Sequence, residues 1–350
     1  MPVALRIQAD VGDRILMSDN SEHADLLRRY INVADARLGA VALHATDEFF
    51  AAKERMLQPT EPEWRAGVHD DNGKWMDGWE SRRRRDQGHD YCVVKLAAPS
   101  TLAALEIDTR HFTGNFPPHA SVQACRIEGT PDATTPWVEL LARSALNGDR
   151  RHLFELPSAG IWTHLKLNIY PDGGIARFRA YGSVYRDWAN IATGEPIDLA
   201  AALNGGTALA CSDQHYGSMA NLLLPGRGAS MADGWETRRR REPGHDWVIL
   251  RLGHRGRIER VEIDTAHYKG NYPHQVSIHA ALLVAAPDAD LTSQCLYWPR
   301  LLEPQYLQPD SEHRYGAELR DLGPISHVRV NIHPDGGLSR VRMFGSPARD

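Results

Sequence analysis

Two copies of one fourteen-residue block bring acid, cation and imidazole chemistry together. They run Asp77-Gly-Trp-Glu-Ser-Arg-Arg-Arg-Arg-Asp-Gln-Gly-His-Asp90 and Asp233-Gly-Trp-Glu-Thr-Arg-Arg-Arg-Arg-Glu-Pro-Gly-His-Asp246, and eleven of the fourteen positions are identical. Core packing preserves hydrophobicity through a duplication, but it gives little reason to keep an acid, a tryptophan, four arginines and a His-Asp pair. A glutamate whose pKa its surroundings displace can act as general acid or base, and this points to Glu80 and Glu236. The imidazoles of His89 and His245 are suited to proton transfer near neutral pH. A guanidinium can hold a carboxylate through two parallel hydrogen bonds.

On an extended strand, Arg82 and Arg84 would face one way and Arg83 and Arg85 the other, and the second copy divides likewise into Arg238 and Arg240 against Arg239 and Arg241. Arg82 and Arg238 are the first choices for an anion, with Arg84 and Arg240 beside them. The plainer role for any one of these arginines is an ion pair with a nearby acid such as Glu80 or Asp90. Asp77 and Asp233 divide evenly between stabilising a turn and serving a site.

A second repeated constellation follows. Asp108-Thr-Arg-His111 with Gly114-Asn115 returns as Asp264-Thr-Ala-His267 with Gly270-Asn271, each where a strand runs into a loop. Asp108, Asn115, Asp264 and Asn271 supply acceptors and donors for a planar NH–CO–NH group, and His111 and His267 add two further proton carriers. Asx turns account for part of this pattern without any ligand. Asp and His also suit zinc or manganese, but no His-x-x-x-His or His-Glu-x-x-His motif is present, so no metal or other cofactor is expected. Gly-rich nucleotide loops, a Gly-x-Ser-x-Gly elbow and a cysteine-centred nucleophile motif are missing as well.

Something must position these residues twice. The displacement between copies is 156 residues through the two blocks above, 163 at Asn168-Ile-Tyr-Pro-Asp-Gly-Gly174 and Asn331-Ile-His-Pro-Asp-Gly-Gly337, and 166 at Ala45-Thr-Asp47 and Cys211-Ser-Asp213. Changing displacements mark loop insertions, and the largest, Gln58 to Trp75, belongs to the first copy as a surface loop beside Asp77. Two domains are expected, residues 1–190 and 191–350, with the boundary between Tyr185 and Ile197. Tyr91 to Leu96, Trp247 to Leu252 and Arg260 to Asp264 read as strands. Thr163 to Tyr170 and Ile175 to Tyr181, joined by Pro-Asp-Gly-Gly, read as a hairpin. Helix is expected only over Asp25 to Ala36 and Asp47 to Leu57. The class is all-β, a sandwich in each copy, with a jelly roll as the preferred version.

Composition limits the partners. The chain has 350 residues, 42% apolar and 24% charged, and a net charge of −5, which speaks against a general nucleic-acid binder and for a small anion held by local positive charge. No apolar run reaches the length of a membrane span, the first residues lack the pattern of a secretory signal, and Cys92, Cys125, Cys211 and Cys295 show no CxxC spacing. A cytoplasmic protein with reduced thiols is expected.

The Asp-Gly-Trp-Glu-[Ser/Thr]-Arg-Arg-Arg block with Gly-His-Asp, the Glu-Ile-Asp-Thr-x-His-[Phe/Tyr]-x-Gly-Asn block, Asp47-Glu-Phe-Phe50 and Pro-Asp-Gly-Gly together resemble the allantoicase family over nearly the whole chain. The resemblance implies two tandem jelly-roll domains of the galactose-binding-like type, a homo-oligomer, and hydrolysis of allantoate to ureidoglycolate and urea. A non-catalytic carbohydrate-binding jelly roll, with Trp79 and Trp235 as platforms, and a related ureido or amidine hydrolase acting on ureidoglycolate are the competing readings.

Overall fold

The computed structural model describes residues 29–157, 160–191, 196–283 and 290–349. The first repeat contains β1 (Ile31–Asn32), β2 (Val41–Ala45), β3 (His69–Asp70), β4 (Gly73–Lys74), β5 (Trp79–Glu80), β6 (Asp90–Asp108), β7 (His119–Cys125), β8 (Val138–Ala145), β9 (Arg151–Glu155), β10 (Trp162–Tyr170), β11 (Gly174–Ile175) and β12 (Arg177–Val184). The second contains β13 (Ile197–Asp198), β14 (Thr207–Cys211), β15 (Trp235–Glu236), β16 (Asp246–Asp264), β17 (Gln275–Ala281), β18 (Arg300–Tyr306), β19 (Glu312–Tyr315), β20 (Ile325–His333), β21 (Gly337–Leu338) and β22 (Arg340–Pro347). Both are jelly-roll sandwiches, so the all-β reading holds.

One 19-residue strand organises each sandwich. The first half of β6 pairs with β2 and β10, and its second half pairs with β12 and β9. β16 does the same with β14 and β20, then with β22 and β19. The pairing changes hands around Pro99 in β6 and around Gly253 to Gly256 in β16, where a missing amide donor or a missing side chain lets the strand bend from one layer into the other.

The expected hairpin around Pro-Asp-Gly-Gly does not form. β10 and β12 lie on opposite sides of β6, in the order β12-β6-β10, and so belong to different layers. Between them the chain passes a cis Tyr170-Pro171 bond and adds the short β11 to β5, with the counterpart His333-Pro334 bond and β21 doing so in the second repeat. Alternation of apolar residues predicts strands but not which strands pair. Helix is also shorter than expected: the described part of Asp25 to Ala36 contains β1, while residues 25–28 lie outside the described residues, and Asp47 to Leu57 yields only a 3-10 turn at Lys53–Leu57.

Each sandwich has its own apolar core, built around Trp79, Leu105, Ile107, Leu165 and Leu167 in the first and Trp235, Val261, Ile263, Val330 and Ile332 in the second. The repeats also touch. Leu38 of the first joins the core of the second, and the Arg37 guanidinium donates to Asn221 Oδ1 at 2.8 Å. Among the described residues no helix is long and apolar enough to cross a membrane.

Candidate active site

Motifs far apart in sequence meet at the end of each sandwich. β5 pairs with β11, setting Glu80 against Gly174 and Trp79 against Ile175, and β15 pairs with β21 in the same way. The fully buried indole of Trp79 donates to the Asp47 carbonyl at 2.8 Å, and Trp235 donates to Asp213 at 2.8 Å, so each tryptophan ties the preceding loop to the block. Gly173 and Gly336 have φ of 140° and 131°, and a Cβ there would lie 2.8 Å and 2.6 Å from the Asn115 and Asn271 carbonyl oxygens. Glycine is required on both counts.

At this junction Asn115 Nδ2 donates to Glu80 Oε1 at 2.6 Å, and Asn271 Nδ2 donates to Glu236 Oε1 at 2.5 Å. The amide fixes one carboxylate oxygen and leaves the other for a ligand. Burial pushes the Glu80 carboxyl above the ordinary carboxylate range; Asn115 and Lys74 offset this and Asp70 adds to it. Asp70 and Lys74 belong to the Gln58 to Trp75 insertion, whose β3–β4 hairpin therefore acts electrostatically on the first glutamate.

In the second repeat the junction opens into a cleft of about 590 Å³, lined by Tyr216, Glu236, Arg239, Asn271, Tyr272 and His274, among others. The arginine run divides here, though not as the first choices had it. Arg82 is committed to Asp47, its Nε and backbone amide donating at 2.7 and 2.9 Å, and Arg238 donates its amide to Asp213 at 2.6 Å. Arg84 pairs with the buried Asp90 at 2.7 Å and Arg240 with Asp246 at 2.8 Å. Among the described residues no ion pair or hydrogen bond is made by the side chains of Arg83 and Arg239, and Arg239 faces the cleft. Arg240 also borders the cleft, but its guanidinium is already partnered.

Several expected site residues lie elsewhere. Asp77 and Asp233 hold the buried Arg177 and Arg340 at 2.7 and 2.8 Å, the pairing that anchors each block to the last long strand of its repeat. Asp108 sits fully buried against Arg110 and Arg151, with Glu61 of the insertion bound by Arg110, Arg151 and Arg179. Asp264 takes Arg227 at 2.9 Å and borders a separate cavity of about 190 Å³. Neither aspartate therefore joins the asparagine with which it was grouped. His111 and His267 have φ of 69° and 71° and donate through Nε2 to the carbonyls of Pro62 at 3.0 Å and Gly228 at 2.7 Å, fastening loops. His89 and His245 place Nε2 at 3.3 and 3.1 Å from Asn168 and Asn331, and neither is among the residues that line the cleft. Among the described residues no three His, Cys, Asp or Glu side chains converge as metal ligands.

The cleft lining also includes Arg239, Tyr216, Tyr272 and His274, which reasoning from repeated residues did not single out. Arg239 belongs to the other alternate of the arginine run. The other three are positions at which the copies differ, and a search for what the duplication preserved passes over them.

The fold and site define a tandem jelly-roll protein with a glutamate–asparagine junction built by the same motifs in each repeat. The family model described as the allantoicase repeat matches residues 31–185 and 197–348. A protein named "Probable allantoicase" from Pseudomonas aeruginosa (strain LESB58) is 56% identical over 329 residues, 94% of this chain and 99% of that one. "Probable allantoicase 1" from Burkholderia mallei (strain ATCC 23344) is 54% identical over 323 residues, 92% and 96% of the two chains. The crystal structure of allantoicase from Saccharomyces cerevisiae aligns with a TM-score of 0.80 at 35% identity, covering 94% of this chain and 98% of that one. The chain belongs to the allantoicase family, a hydrolase acting on carbon–nitrogen bonds in linear amidines, and degradation of allantoate is its function. The carbohydrate-binding reading is thereby set aside.

Proposed function

We propose that allantoate is recognised at the glutamate–asparagine junctions and is hydrolysed there to ureidoglycolate and urea, with the second-repeat cleft carrying the reading. The observation that carries this reading is the carboxylate of Glu236, held through one oxygen by Asn271 and opening on a cleft that also presents the uncommitted Arg239. Allantoate offers matching groups, since one carbon bears a carboxylate and two ureido arms. Arg239 takes the carboxylate through charge-assisted hydrogen bonds. The amide of Asn271 orients both the glutamate and a ureido arm.

Glu236 serves as the acid–base group of its cleft, and Glu80 holds the equivalent place in the first repeat. As base it accepts a proton from the water whose oxygen ends on the central carbon. The asparagine contact in both repeats supports such a role, because it holds one carboxylate oxygen in place and leaves the other to exchange a proton with a ligand. The same reading takes the enzyme as cytoplasmic and homo-oligomeric, supported by four unpaired cysteines and by Leu296, Tyr297 and Tyr306 standing in solvent. Light scattering on the purified protein tests the assembly, with a monomer excluding it.

The direct test is urea release from allantoate by the Glu80→Gln, Glu236→Gln double variant. A loss of about 100-fold or more is expected for removal of a general acid–base group, and full turnover by the folded variant would refute the assignment. Ureidoglycolate offered in parallel separates the alternative substrate, which should give no comparable urea release.

A further inference from the structure

The two clefts share a frame and differ in what surrounds it. Ala51 bridges to Glu80 and Gly217 to Glu236, which puts Phe50 and Tyr216 at equivalent places. The Gly-Asn-Phe-Pro-Pro118 and Gly-Asn-Tyr-Pro-His274 segments make Phe116 equivalent to Tyr272 and Pro118 equivalent to His274. Two phenols and an imidazole line the second cleft where the first repeat has two hydrocarbon rings and a proline. Every one of these differences removes a group able to give or pass a proton.

The first cleft also has a neighbour that the second lacks. The insertion brings Gly73 against Phe50, where a Cβ would lie 4.0 Å from the ring, and sets Asp70 and Lys74 to act on Glu80. Glu80 is correspondingly more buried than Glu236. In the second repeat His274 is exposed at the cleft, its ring edge-on to Tyr306 with centroids 5.0 Å apart, and its amide bonded to the His333 carbonyl at 2.9 Å. Among the described residues neither ring nitrogen has a hydrogen-bond partner, so the ring is anchored by backbone and packing while its nitrogens stay available.

We propose that the second repeat's cleft is the catalytic centre, with His274 as the acid that protonates the departing urea nitrogen, and that the equivalent glutamate–asparagine junction of the first repeat does not hydrolyse the substrate. This rests on the reading that the glutamate–asparagine clefts take allantoate. The bond from the central carbon to one ureido nitrogen breaks, and its electron pair leaves with the nitrogen. That nitrogen takes a proton from the His274 imidazolium, giving neutral urea. Water supplies hydroxyl to the carbon and loses a proton to the Glu236 carboxylate. Glu236 and His274 then exchange the proton through solvent and are reset.

The experiment measures urea release by the full-length protein for Glu236→Gln, His274→Gln and His274→Ala, with melting temperatures taken first. Glu236→Gln alone is expected to lose at least about 100-fold, because the first cleft supplies no turnover. Retention of about half the activity with an unchanged pH profile would show the first cleft to be active and overturn the proposal, while the reading of the clefts as allantoate sites would stand. Full activity in both Glu236→Gln and the double glutamate variant would remove that reading itself. His274→Gln is expected to lower kcat by about 100-fold with KM within about threefold, and to abolish the fall in rate at alkaline pH that marks loss of a protonated acid. Added imidazole should restore part of the His274→Ala rate. An alkaline limb and kcat that survive in His274→Gln would exclude His274 as the acid, whatever Glu236 does.

Discussion

The first and second repeats spend the same motif on different surroundings. In the first, Glu80 is buried and flanked by an insertion whose Glu61 fills a cluster of three arginines and whose hairpin carries Asp70 and Lys74 toward the carboxylate. In the second the insertion is missing, the cleft stands open, and its rim carries Tyr216, Tyr272 and His274. Duplication thus preserved the scaffold that holds a glutamate on an asparagine, and the two copies differ in the groups around it.

The largest effect expected from breaking this symmetry lies beneath the clefts. Arg177 and Arg340 are buried and each is paired with the aspartate of its block, so Arg177→Met or Arg340→Met removes the buried partner of that acid and should cost about 3–5 kcal/mol in guanidinium unfolding. Arg177 also donates to the Thr60 carbonyl at 2.7 Å, whereas Arg340 Nε has no partner, so the first-repeat variant should be the more damaging of the two. Equal losses would mean that the insertion adds nothing to the frame. Next in size, Arg239→Ala should raise KM for allantoate by about 10- to 100-fold through loss of a charge-assisted contact of about 1.5–3 kcal/mol, and steady-state kinetics would show it. An unchanged KM would return the carboxylate to another arginine.

Two smaller effects concern pH. The second repeat stacks His333 on His245 with centroids 4.6 Å apart, where the first has Tyr170 against His89. Burial, reinforced by His245, Arg300, His279 and Arg329, pushes the His333 imidazole down to about 4. Its folded pKa is depressed, so the unfolded chain binds the proton first and stability falls as pH drops from about 6.5 toward 4. His333→Tyr should narrow that acid loss of melting temperature, and an unchanged acid profile would remove the histidine from the account. For Glu80 the sign is opposite. Its folded pKa is raised, so the native state holds the proton more tightly and stability declines as pH rises through the folded value. Glu80→Gln, which keeps an acceptor for Asn115, should therefore melt a few degrees higher than the parent at neutral pH and no higher below about pH 4. A variant less stable at every pH would show that the charge is better accommodated than its burial implies.

The sequence by itself determined the class and the bookkeeping of the fold. Its repeated blocks established two copies of one unit, its strand-length apolar patterns established all-β layers, and the joint specificity of the motifs pointed to the family. Glu80 and Asn115, or Glu236 and Asn271, were legible as candidates because both recur and both are polar at strand ends. Tertiary structure alone decided that these glutamates and asparagines meet while Asp108 and Asp264 do not, since β11 and β21 join β5 and β15 across more than 90 residues of chain. It also decided which arginines of the run are paired, because Asp47 and Asp213 from loops, and Asp90 and Asp246 from the starts of β6 and β16, reach Arg82, Arg238, Arg84 and Arg240, while among the described residues the side chains of Arg83 and Arg239 have no such partner. The physical reason is common to all of these: residue type and spacing set what a side chain can do, but only long-range pairing sets which partner it finds.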